Sequence, residues 1–520
     1  MKKLMSLVLA ILVLALPVAS FAVEYPVNSD KTITIWKQLD GSIAEGGYTT
    51  SMDTPGFKAW TEAAGIKVEL MEYNDLDALR LAISAASTLP DAIQFDKNTF
   101  TGGIMTMVAD DMIIELTPEM LEENAPDYWA FVNNDTYMKE IVQLDGKMYG
   151  LAGHVFEPGS VFRYWRGFFY RGDLLEKIGK EVPTTAEEFY DVLVALKAAG
   201  VKTPLVFQGK SDLAECLKNG DITSPFGLVN AAEYQIDGVF HYGAYEPEYK
   251  EALRFVKKLF DEGLISVDYM SMENSVAQAS ICNGDAGAFY GNNSRLNTFK
   301  GGLKEGEFFV PGPGLKTADG QNAMFSFADP MVSASDFVFI TPDCENPELV
   351  LQLYNFLFTE EGKLIRDFGV EGESYVIGAD GIPAYTELVT NNPNGYSLDG
   401  TARSWALINW PGVHGDYQLA ARHPEKTQVV AYDLWGSSQA DTYRIVPGNT
   451  ILEEYADEYA GLWTDISLYV NESRAKFING ELDLDADWDN YIATLQKMGM
   501  ERVIEMKQAT VSAYDAAAGK

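Results

Sequence analysis

From residue 31 the chain alternates apolar and polar positions. Residues 31–36 (KTITIW) set Ile33 and Ile35 on one side and Thr32 and Thr34 on the other, the period-two pattern of a half-buried strand. A helix is expected over 54–64, where Phe57 and Trp60 are spaced for one face. Residues 66–73 (IKVELMEY) alternate again. Asp75 then stands where a helix cap belongs, ahead of Leu76, Leu79, Leu81 and Ile83. Leu89-Pro90-Asp91 ends that helix, and 92–95 reads as a third strand. Strand, helix, strand, helix, strand at this spacing predicts an α/β layer with parallel strands.

The pattern restarts further along. Residues 167–170 form a short aromatic strand. Thr184 or Thr185 caps a helix that carries a Glu three positions on and stops at Gly200. A strand follows at 203–208. Residues 249–260 (YKEALRFVKKLF) make an amphipathic helix closed by Gly263, and 286–290 is another strand. Further helices are expected at 347–358 and 488–514. Residues 301–320, rich in Gly, Pro and Lys, read as a surface crossing between units.

The N-terminus is of another kind. Lys2 and Lys3 precede an apolar run over 4–18, and Ser20 and Ala22 sit where a signal peptidase accepts small residues. This predicts a signal peptide over 1–22, with the mature chain outside the cytoplasmic membrane. Residues 4–23 approach a membrane span in length, but Pro17 and the small residues after it favour cleavage. No cysteine follows the apolar run, so a cysteine-linked lipid anchor is not expected.

Composition narrows the functional classes. The 520 residues carry 76 acidic and 39 basic side chains, a formal charge of −37. Such a chain is repelled by phosphate backbones, and the basic residues Arg163, Arg166 and Arg171 are too sparse to form a nucleic-acid patch. Clustered cations are few, which also points away from a polyuronate ligand. Hydrophobic residues at 47% support a sizeable core and two or three domain-sized units. Cys216, Cys282 and Cys344 lack any C-x-x-C spacing and read as free thiols. His154, His241, His414 and His423 show no metal-ligand spacing, and residues 312–317 (GPGLKT) fail as a phosphate loop because Pro313 removes an amide. No nucleophile elbow, Walker motif or dinucleotide fingerprint occurs, so neither a cofactor nor a catalytic metal is expected.

Several segments together resemble one family. Residues 65–96 show a strand–helix–Pro-Asp–strand arrangement, and Asp145-Gly146-Lys147-Met148-Tyr149-Gly150 looks like a DGKxYG hairpin. Residues 169–196 are similar to R-x-D-x-L-x-K-x-G…P-x-T-x-E-E. Residues 259–269, 283–287, 368–375 and 480–500 supply further matches in order. They resemble the extracellular solute-binding proteins of bacterial sugar-type ABC importers, in the larger LplA-like branch. The resemblance implies a periplasmic-binding-protein-like α/β fold, with two lobes joined by a multi-crossing hinge and a ligand cleft between them. Lobe one is expected over 24–145 plus 291–345, and lobe two over 150–288 plus 346–520. It further implies an exported monomeric receptor, periplasmic or at the cell surface. Such a receptor hands an oligosaccharide or glycoside to permease subunits in the membrane and is not an enzyme. Many relatives carry an acidic calcium loop after the helix that here ends near Ala199; residues 198–204 (AAGVKTP) contain no carboxylate, so no metal is expected there.

A sugar presents an apolar face and hydroxyl edges, so its site needs aromatic platforms beside amides or carboxylates. In α/β lobes ligands lie beyond the carboxyl ends of strands. That rule selects Trp36, Asp96, Tyr170, Phe226, Tyr290 and Asn292, and the aromatic stretch around Trp405 and Trp410 is a candidate cover. An aromatic at a strand end serves a core as readily as a ligand. Arg171 and Asp173 read as a structural pair. Glu371 and Glu373 read as structural too, near the hinge, rather than as a hydrolase's carboxylate pair, which would stand about 5 Å apart. A secreted glycoside hydrolase or lyase would release reducing ends from polysaccharide, and a surface sensor would bind ligand without stimulating a permease.

Overall fold

The computed structural model describes residues 22–97, 103–143, 145–207, 212–422, 426–445 and 451–517. The expected signal segment, Ala22 apart, and His423 lie outside them.

Strand β1 (Thr32–Gln38) is the centre of the first sheet. It pairs in parallel with β2 (Lys67–Tyr73) from Thr32↔Lys67 to Gln38↔Tyr73, and with β3 (Ala92–Phe95) through Ile35↔Ala92. Ile33 and Ile35 are fully buried, as the alternation dictates. The helix Pro55–Ala64 begins where the Thr54 hydroxyl accepts from the Phe57 amide and ends where Gly65 takes φ 69°. Its Trp60 is fully buried and donates to the Leu353 carbonyl at 3.1 Å. Asp75 caps the helix Leu76–Ala85 through the Ala78 amide at 2.7 Å.

Strand β4 (His154–Phe156) starts the passage out of this lobe. The second sheet is mixed. It contains β5 (Arg166–Arg171), β6 (Thr203–Phe207), β9 (Ala286–Asn292) and β10 (Phe309–Gly312), in the order β10-β5-β9-β6. Strands β7 (Glu233–Ile236) and β8 (Val239–Tyr242) form a hairpin in the same lobe. The helix Ala186–Ala198 has Thr185 as its cap, with Glu188 completing a capping box. Strand β10 corrects the reading of 301–320 as a plain crossing. It pairs antiparallel with β5, Phe309↔Arg171 to Gly312↔Phe168, at the sheet edge where the missing amide of Pro311 is tolerated.

Beyond β10 the chain returns to the first sheet. Strand β11 (Phe337–Ile340) joins it antiparallel to β3, Phe337↔Phe95 to Ile340↔Ala92. The helix Pro347–Asn355 buries Leu349, Val350, Leu351, Leu353 and Tyr354, which all belong to the first core. A small hairpin, β12 (Tyr375–Ile377) with β13 (Pro383–Tyr385), follows. Strand β14 (Gly412–His414) then pairs in parallel with β4.

Two cores therefore divide the chain differently from the expected boundaries. The first gathers residues between 33 and 156, then 331–358, Leu407, Trp410 and Val413. The second gathers residues between 168 and 315, then 451–511. The chain passes between them near 156–163, 328–331 and 413–431.

Candidate functional site

A cavity of about 1040 Å³ opens between the two cores. The first lobe contributes Lys97, just past the carboxyl end of β3, with Ile104, Met105 and Gln143. The crossing segment contributes Phe325, Phe327, Ala328 and Asp329. The second lobe contributes Asn219, Asn230, Glu233 and Tyr242, and one face of the helix Ala456–Asn479.

That helix lends Ala456, Tyr459, Ala460, Trp463, Thr464, Ser467 and Asn471 to the cavity. Their spacings of three and four residues place them on one face. Ile466, Val470, Ser473, Phe477 and Ile478 are the helix's buried residues, and the apolar ones pack into the second core. The rings of Tyr459 and Trp463 stack 5.9 Å apart and 14° from parallel. Tyr242 meets Trp463 edge-on at 5.1 Å. Both Tyr459 and Trp463 are half-buried, so ring surface stays open to the cavity. The Tyr459 hydroxyl donates to Glu233 at 3.3 Å, and the buried ammonium of Lys507 pairs with the other Glu233 oxygen at 3.2 Å. Burial and the Glu233 charge push the Tyr459 hydroxyl well above its ordinary value.

The crossing segment brings a second aromatic group. Phe327 meets Trp165 edge-on at 4.5 Å, and the Trp165 indole donates to Asp329 at 2.9 Å. Burial pushes the Asp329 carboxyl up to about 6, against the pull of Trp165, Arg444 and Arg163. Arg444 donates to the Ala328 and Asp329 carbonyls, and Arg163 donates to the Asp329 carbonyl at 2.6 Å. Two arginines thus fix the backbone of the crossing segment, and Trp165 holds the Asp329 side chain.

None of the eight residues selected from the sequence lines this cavity. Tyr170 and Tyr290 are fully buried, and their rings belong to the second core. Tyr290 still reaches the site through a neighbour. Its hydroxyl accepts from Asn219, a cavity residue, at 2.8 Å and donates to buried Asp221 at 2.8 Å. Trp410 is also core, packed on Trp60 at 4.9 Å with the Lys37 ammonium 4.0 Å over its ring. Phe226 packs on Phe255 at 5.4 Å, and Asn292 accepts from Arg166 at 2.8 Å. Trp36 packs edge-on against Tyr73 at 5.8 Å. Trp405 is half-buried, and its carbonyl lies against Gly56 and Gly369. Asp96 adjoins Lys97, the residue at that strand end that does line the cavity.

Other chemistry falls into structural roles. His154 and His414 pack edge-to-face at 4.4 Å; burial first and Arg366 second drive both well below the ordinary histidine range. Glu371 and Glu373 are exposed on a turn, away from the cavity lining. Among the described residues no group of three or more His, Cys, Asp or Glu is placed to hold a metal. Beyond Ala199 the Lys202 ammonium pairs with Asp285 at 2.9 Å.

A family model described as bacterial extracellular solute-binding protein matches residues 46–364. Lipoprotein LipO of Bacillus subtilis is 23% identical over 477 residues, covering 86% of each chain. Its name stands against the expectation that this chain lacks a lipid anchor. The fructooligosaccharide ABC transporter substrate-binding protein FusA of Streptococcus pneumoniae is 23% identical, covering 87% of this chain and 85% of its own. Among solved structures, the alginate-binding protein AlgQ2 without calcium ion superposes with a TM-score of 0.73. It is 20% identical, with 95% of this chain and all of that one covered.

Proposed function

The chain belongs to the family of bacterial extracellular solute-binding proteins, and from that premise we propose that it captures a carbohydrate between its lobes for delivery to an ABC importer. The observation that carries this reading is the open ring surface of Tyr459 and Trp463 within a cavity whose lining also includes the amides of Asn219, Asn230, Gln143 and Asn471. Aromatic faces take the apolar side of a sugar, and amides bond its hydroxyls in pairs. FusA is named for fructooligosaccharides and AlgQ2 for alginate, which supports a saccharide over an amino acid or a metal.

In this reading the protein binds and releases ligand without transforming it, and works as an exported monomer. Closure of the lobes adds contacts from Lys97 and Gln143 to a sugar first seated on Trp463. Among the described residues no helix is long and apolar enough to cross a membrane. Calorimetry against oligosaccharides, amino acids and polyamines tests the proposal. Saturable binding of an oligosaccharide supports it; binding of another solute class with silence from every sugar contradicts it.

A further inference from the structure

The charges in the cavity do not follow the chain as a whole. Acidic residues outnumber basic ones 76 to 39 overall, yet the cavity is lined by Lys97, Lys218 and Arg444 against Glu215, Glu233 and Asp329. Each acid is already engaged. Glu233 holds Lys507 at 3.2 Å, Glu215 holds Lys218 at 3.3 Å, and Asp329 accepts from the Trp165 indole at 2.9 Å. Arg444 is spent on Asp441 and two hinge carbonyls.

Lys97 differs. Its ammonium carries three donors. One reaches the Glu140 carbonyl at 3.1 Å, and the Phe337 ring lies 4.9 Å below it. Among the described residues no carboxylate stands within ion-pair distance of it. The nearby Glu140 carboxylate is turned to the Val332 amide at 2.7 Å. Burial lowers the Lys97 pKa, against the weaker pull of Glu140 and Asp96. A desolvated ammonium with no carboxylate in direct contact is costly, and a ligand carboxylate arriving in the cavity would supply that contact with charge-assisted hydrogen bonds.

We propose that the ligand is an acidic saccharide, one bearing a uronate-type carboxylate, and that Lys97 is the residue that reads its charge. This reverses the sequence expectation, which looked for clustered cations. One cation suffices when it is desolvated and every neighbouring acid is occupied. The inference rests on the carbohydrate reading and sharpens it.

The test pairs each of three uronate oligosaccharides (galacturonate, mannuronate and glucuronate trimers) with its methyl ester, and includes neutral oligosaccharides, all titrated by calorimetry into the full chain. At least one acid is expected to bind ten-fold or more tighter than its ester. In Lys97→Gln that ratio falls below about three, and in Lys97→Arg, which keeps the charge, it persists. Equal binding of acid and ester in wild type overturns the proposal, as does an acid preference that survives Lys97→Gln. Binding of neutral sugars with silence from every acid overturns the proposal and leaves the carbohydrate reading standing; silence from all sugars overturns both.

Discussion

The indole of Trp463 lies nearly parallel to the ring of Tyr459, with centroids 5.9 Å apart, one helical turn along the cavity face of Ala456–Asn479. The pair forms a continuous aromatic strip held from behind by Tyr242 and by the Glu233–Lys507 ion pair. Trp463→Ala removes the larger ring. Saccharide binding is expected to weaken by about 2 kcal/mol, roughly thirty-fold. Thermal unfolding should stay close to wild type, because the ring is half-buried on a cavity wall. Unchanged affinity would place the ligand elsewhere.

The Asp221 carboxylate, behind the cavity, accepts from the Tyr290 hydroxyl at 2.8 Å and from Ser326 at 3.2 Å. Burial outweighs both bonds and pushes its pKa up to about 7. The folded chain therefore keeps a proton that the unfolded chain has released, and this group lowers stability as pH rises from about 4 to about 7. Asp221→Asn preserves a donor and an acceptor without the charge. Urea midpoints measured across that window should show wild type losing stability relative to the variant as pH rises. Parallel profiles would contradict the assignment.

Arg171 is 2% exposed and forks onto both oxygens of Asp173 at 2.8 Å, with Glu307 at 3.1 Å and the Ile281 carbonyl at 2.8 Å. Arg171→Ala strands two carboxylates and should cost about 3–5 kcal/mol in chemical denaturation. Arg171→Lys should recover only part of this, because an ammonium cannot reproduce the fork. Full recovery by lysine would reduce the site to a point charge.

The first sheet is legible in the sequence because β1 and β2 alternate cleanly and their helices are capped by Thr54 and Asp75. The site is not. The helix Ala456–Asn479 has apolar residues on two faces, Ile466 and Phe477 toward the core and Tyr459 and Trp463 toward the cavity. A single amphipathic stripe never appears, although the spacing 456, 459, 460, 463, 464, 467, 471 holds a usable signal. Tyr170, Tyr290 and Trp410 fill cores, and the strand-end rule holds only through neighbours, Lys97 beside Asp96 and Asn219 bonded to Tyr290. Lobe boundaries were equally hidden, since Leu349 to Tyr354 would suit either core and only tertiary packing decides.

A crystal structure of the saturated saccharide complex tests the central claim most directly. The account predicts sugar density between the lobes, with one ring stacked on Trp463 and polar groups within hydrogen-bond reach of Asn219 and Lys97. Density confined to the surroundings of Trp36 and Trp405, with the cavity between the lobes holding only water, would contradict it.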